Sequence, residues 1–77
     1  MNTMTRGALR NKIMQNGALC IESWQVNQDE HIILALRDHG VHCYIVWTAT
    51  EDGDCSRGDY CGTIQEALAI AERRAGL

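Results

Sequence analysis

Apolar residues recur at helical spacing near both ends of the chain and at strand spacing between them. From Met4 to Gln15, the residues Met4, Ala8, Leu9, Ile13 and Met14 gather on one side of a helical repeat. Thr3 or Thr5 can serve as the N-cap and Asn16-Gly17 as the stop, with Gly7 opposing the helix. Three strand candidates follow. "ALCIESWQV" has no cleanly apolar face, whereas "HIILALRD" and "VHCYIVWTA" are rich in β-branched and aromatic residues and meet at the turn signal "DHG". A two-residue hairpin at His39-Gly40 puts Ile32, Leu34 and Leu36 on one face with Val41, Cys43, Ile45 and Trp47. The other face then carries His31, Ile33, Ala35 and Arg37 beside His42, Tyr44, Val46 and Thr48. A solvated sheet face is usually more polar than that. Ile33, Tyr44 and Val46 are therefore a candidate dimer face, against the plainer reading that a few apolar side chains on a surface are ordinary.

The C-terminal helix has the clearest signals. Thr63-Ile64-Gln65-Glu66 has the form of a capping box, in which the Thr and Glu side chains each take an orphan backbone N–H. Ile64, Ala67, Leu68, Ala71 and Ala75 follow at helical spacing. Arg73 and Arg74 complement the dipole, and Gly76 provides the stop. The expected fold is α+β: a two-layer domain of order α-β-β-β-α, with a three-stranded antiparallel meander and both helices packed on one face.

Length narrows the functional classes. A chain of 77 residues is read as a single domain over 1–77, and a domain of that size buries only about 60% of its unfolded surface. Such a core has little volume to spare for an interior cleft, so no enzyme and no cofactor are expected. The longest apolar runs are too short to span a bilayer. "MNTMTRGALRNK" lacks the apolar region of a secretory signal, so a cytoplasmic location is expected.

Charge is unevenly placed. The formal net charge is −3. Residues 1–20 hold Arg6, Arg10 and Lys12 and no acid, whereas the middle of the chain is acidic. "ATEDGDCSRGDYCGT", residues 49–63, gathers four acids, two cysteines and three glycines. Such a middle repels nucleic-acid phosphates and favours a basic partner.

Several chemistries compete for that segment. Cys55 and Cys61 lack the close spacing of zinc knuckles, although His39, His42 and Cys43 could complete a site if the fold brought them near. A Cys55–Cys61 disulfide is feasible in an oxidising setting, but unpaired thiols fit a cytoplasmic chain better. Asp52, Asp54 and Ser56 match the start of a calcium loop. Arg57 then stands where its glycine belongs, and Thr63 where its glutamate belongs, so no metal is expected. Arg57-Gly58-Asp59, which resembles an integrin-recognition tripeptide, reads as a turn with charged flanks. No serine–histidine–acid set converges, and "GDYCGT" lacks the lysine of a phosphate loop.

The element order is that of the double-stranded-RNA-binding domain. The resemblance is one of order only. That family places lysines at the start of its last helix, where "GTIQEAL" has Glu66 and no base. No direct nucleic-acid contact is expected there, and a weaker one through Arg6, Arg10 and Lys12 stays open.

Elimination leaves surfaces. The chain resembles the short single-domain proteins of bacteriophages and mobile elements: a meander, then "YCGTIQEALAIAERRAGL", a glycine turn feeding an alanine-rich helix. In size, acidity and lack of catalytic motifs it is similar to several anti-CRISPR proteins. That resemblance implies a non-catalytic inhibitor of a bacterial CRISPR–Cas effector. On the reading from the residues, Glu51, Asp52, Asp54 and Asp59 meet basic residues of the partner, and Tyr60 adds an aromatic anchor. The competing expectation is a structural or regulatory homodimer through Ile33, Tyr44 and Val46.

Overall fold

The computed structural model describes residues 6–14, 17–37, 43–50 and 52–77. Among these residues four strands, β1 (Leu19–Gln25), β2 (Glu30–Leu36), β3 (Tyr44–Thr50) and β4 (Cys55–Cys61), precede one helix, α1 (Ile64–Arg74). The strands form an antiparallel sheet in the order β1-β2-β3-β4, and α1 packs on it across β2, β3 and β4. The fold is α+β, but its order is not α-β-β-β-α.

Two differences from expectation have local causes. The expected helix over Met4–Gln15 is absent from the described residues 6–14, which make turns and run antiparallel beside β1. Gly7 and Asn11 take φ of 85° and 73°, left-handed values that interrupt a helix. The backbone donors go instead to β1: Gly7 N–H to Ser23 O, and Asn11 N–H to Cys20 O. Leu9 and Met14 are buried as expected, but against the sheet face that α1 does not cover.

The second difference is β4, which falls within the expected acidic loop. Its middle residues are all exposed, so no apolar alternation announces it. Pairing with β3 and the burial of Cys61 hold it in place. Between Val46 and Thr48 the register shifts, so that Arg57 and Gly58 together oppose Trp47. Arg57 has φ 58° in this bulge. A Cβ on Gly58 would lie 2.8 Å from Trp47 Nε1. The Arg-Gly-Asp tripeptide is thus the geometry of a bulge.

Register settles which residues share a face. Leu34 pairs with Val46 and Leu36 with Tyr44, one residue away from the register that His39-Gly40 would impose; that turn lies outside the described residues. A one-residue slip exchanges every facing pair. Ile33, Ala35, Ile45 and Trp47 consequently form one core with Leu9, Met14 and Cys20. Trp24, Ile32, Leu34 and Val46 form the other with Ala67 and Ala71 of α1 and its C-cap Ala75. The supposed dimer face is dismantled: Ile33 and Val46 are fully buried on opposite faces, and Tyr44 packs against the helix-side core.

Helix α1 ends as its sequence indicates. Thr63 Oγ1 accepts from Glu66 N–H at 3.2 Å, while the Glu66 carboxylate accepts from Gly62 N–H at 3.3 Å. At the other end Leu77 N–H reaches Glu72 O and Gly76 N–H reaches Arg73 O, with Gly76 at φ 83°. Among the described residues no helix is long and apolar enough to cross a membrane.

Candidate functional site

Strands of an antiparallel meander alternate in direction, so the β1–β2 and β3–β4 turns emerge at the same end of the sheet. Glu30 at the start of β2 pairs with Thr50 at the end of β3. Asp29 and Glu30 from the first turn therefore stand beside Asp52 and Asp54 from the second, and all four are exposed. Neighbouring strands lie ~4.8 Å apart, which separates the two pairs by roughly 10 Å. That is somewhat more than the ~8 Å Debye length at physiological salt, so the two pairs repel each other only weakly. No Lys or Arg occurs over 25–36 or 43–56 to offset them.

Both turns are internally braced. Asp29 N–H donates to Asn27 Oδ1 at 3.0 Å, and Asn27 Nδ2 donates to Glu30 Oε1 at 2.7 Å. In the second turn Gly53 takes φ 93°, which glycine adopts without steric cost. Its N–H donates to Thr50 O at 2.9 Å, and Asp54 N–H donates to Thr50 Oγ1 at 3.2 Å. Asp52 and Asp54 are both exposed beside these bonds.

The residues expected to form one acidic site are divided. Asp52 and Asp54 belong to this end; Glu51 lies outside the described residues. Asp59 is five residues further along β4, about 16 Å from Asp54 at strand rise, and its Oδ2 is 3.2 Å from Arg74 Nη1. The same Nη1 donates to Val46 O and Arg57 O, and Nη2 donates to Thr48 Oγ1 at 2.6 Å. Arg74 fastens α1 to β3 and β4, and Asp59 serves that attachment. Tyr60 pairs with Ile45 on the opposite face, where the Arg37 guanidinium stands 5.6 Å from its ring centroid.

Two of the basic residues left open for nucleic acid are already engaged. Arg10 donates to both oxygens of Glu22, at 2.9 and 2.7 Å, and Arg6 Nε donates to Oε2 at 3.1 Å. Arg6 also lies 5.4 Å from the Trp24 ring centroid. Burial pushes the Glu22 carboxyl up, but hydrogen bonds from Arg10, Ser23 N–H and Arg6 outweigh it and leave the carboxyl below its ordinary value. This clasp ties residues 6–14 to β1.

Cys20 and Cys61 are buried, and Cys43 and Cys55 are half-buried. Cys55 and Cys61 are separated by about 20 Å of strand, far beyond disulfide reach. The bulge turns them to opposite faces: Cys55 packs against the core beside residues 6–14, and Cys61 lies beneath α1. Burial pushes the Cys20 thiol to about 11. Among the described residues no three His, Cys, Asp or Glu side chains come close enough to hold a metal; His39 and His42 lie outside them.

Asp29 and Glu30 were missed as partners of Asp52 and Asp54 because they sit more than twenty positions earlier in the chain. The signal was present in principle, since alternate turns of a meander share an end. No family model, no curated protein and no solved structure matches this chain.

Proposed function

We propose that this chain is a non-catalytic binding domain that presents the acidic end of its sheet to a basic surface on another protein. The observation that carries the proposal is the convergence of Asp29, Glu30, Asp52 and Asp54 on two braced turns without an intervening base. Opposed charge accelerates encounter with a basic partner. A groove lined with arginine and lysine, built to hold nucleic acid, fits this chemistry. The partner class we favour rests on the resemblance in size and acidity to anti-CRISPR proteins: a nucleic-acid-binding effector of bacterial defence, of the CRISPR–Cas kind, which the domain inhibits by occupying its groove.

The test is capture from a bacterial lysate carrying an active CRISPR–Cas system. Wild-type protein is compared with an Asp29→Lys, Asp52→Lys, Asp54→Lys variant whose fold is checked by circular dichroism. The expected result is an effector subunit held by the wild type and lost by the variant. An identical set of captured proteins for both would sink the proposal.

A further inference from the structure

Pairing across the sheet brings Ile13, Leu19, Leu36, Tyr44 and Cys61 into one continuous row, since each is the partner of the next. Directly opposed residues share a face, and this row lies on the helix side. Helix α1 covers only its β4 end. Arg74 ties one flank of α1 to β3 and β4; at about 100° per residue, Leu68 lies on the other flank, turned toward β1, and Ile64 stands one turn before it at the open start of the helix. Ile13, Leu19, Ile64 and Leu68 are 68, 37, 40 and 37% exposed. They make up four of the six large apolar side chains exposed among the described residues, so this is a patch and not scatter.

We infer that a second copy of this chain covers the strip. The patch is self-complementary, with raised helix residues, Ile64 and Leu68, beside a flat strip, Ile13, Leu19 and Leu36. A two-fold axis seats each copy's flank on the other's strip, so every contact is made twice. Charge agrees with this seating. Arg6 and Arg10 border the strip along β1 with only Glu22 between them, which leaves one net positive charge there. Glu72 follows Leu68 by one helical turn on the same flank, and the two-fold brings it toward the arginines of the other copy. The dimer forms on the helix side of the sheet, away from the buried Ile33 and Val46, and it leaves the acidic ends clear.

The test is mass measured by light scattering over a concentration series. The wild type is expected to rise from 8.6 kDa toward twice that value. Ile13→Glu and Leu68→Glu are each expected to hold it at the monomer mass with an unchanged circular dichroism spectrum. Both sites are exposed, and if either variant fails to fold the other decides. Glu72→Arg, which reverses the charge beside the apolar patch, is expected to weaken the dimer at least fivefold. The Asp29, Asp52 and Asp54 lysine variant should dimerise normally, which separates this inference from the binding proposal. A wild type that stays at 8.6 kDa throughout, or a dimer that survives both glutamate substitutions, overturns it.

Discussion

Arg74→Met should loosen the helix from the sheet more than its position on a surface helix suggests. The apolar contact that α1 and its C-cap make through their buried residues is small: Ala67, Ala71 and Ala75. Each buries one methyl, and at about 0.8 kcal/mol per buried carbon the three together contribute roughly 2.5 kcal/mol. Arg74 donates to two carbonyls, the Thr48 hydroxyl and the Asp59 carboxylate. Hydrogen bonds to a charged group contribute about 1.5–3 kcal/mol each when well buried. The Arg74 side chain is 19% exposed and Asp59 is 52% exposed, so the ion pair is discounted toward surface values. The remaining bonds do not add simply, and a net loss of about 2–4 kcal/mol is expected. A domain of this length has roughly 4–12 kcal/mol in total, so the melting temperature should fall by at least about 8 °C. Urea unfolding followed by tryptophan fluorescence reads the effect, since Trp24 lies in the core beneath α1. Arg73→Met, at an exposed neighbour, is the control and should change stability by less than ~0.5 kcal/mol. Equal effects from the two substitutions would refute the reasoning.

Three further outcomes follow from other contacts. Gly58→Ala drives a Cβ to 2.8 Å from a buried indole and should cost about 1–3 kcal/mol, measured by urea unfolding; a neutral result would mean the bulge shifts freely. The Glu22 carboxyl titrates lower in the folded state than its unfolded value of about 4.3. Its clasp is therefore complete above that pH and is lost as pH falls through the folded value. The stability gap between wild type and Glu22→Gln should accordingly be flat near neutrality and shrink in acid, and a gap that widens in acid would contradict the clasp. Finally, a thiol reagent should modify the half-buried Cys43 and Cys55 before the buried Cys20 and Cys61, with Cys20 slowest because burial has pushed its thiol to about 11. Mass mapping of the labelled sites gives the order.

Helix α1 could be read from sequence because its cap, its apolar spacing and its terminal glycine are all local. The first segment carried comparable apolar spacing in Ala8, Leu9, Ile13 and Met14. There the left-handed backbone at Gly7 and Asn11 and the pull of β1 decide the structure, and neither shows in periodicity. Strand β4 could not be read because "CSRGDYC" owes its conformation to β3 and Arg74 rather than to its own side chains. The hairpin register was missed by one residue, enough to trade one core for the other. For the acidic site, composition singles out Asp52 and Asp54. Their companionship with Asp29 and Glu30, and the diversion of Asp59 to Arg74, depend on strand direction.

The most direct measurement is the affinity of the captured partner, by titration calorimetry, for four single variants: Asp29→Lys, Asp52→Lys, Asp54→Lys and Asp59→Asn. If the acidic end of the sheet is the binding surface, the first three weaken binding by similar factors although they come from two different hairpins, and Asp59→Asn leaves it unchanged. Loss of affinity confined to Asp52 and Asp54, or an equal loss from Asp59→Asn, would contradict the account.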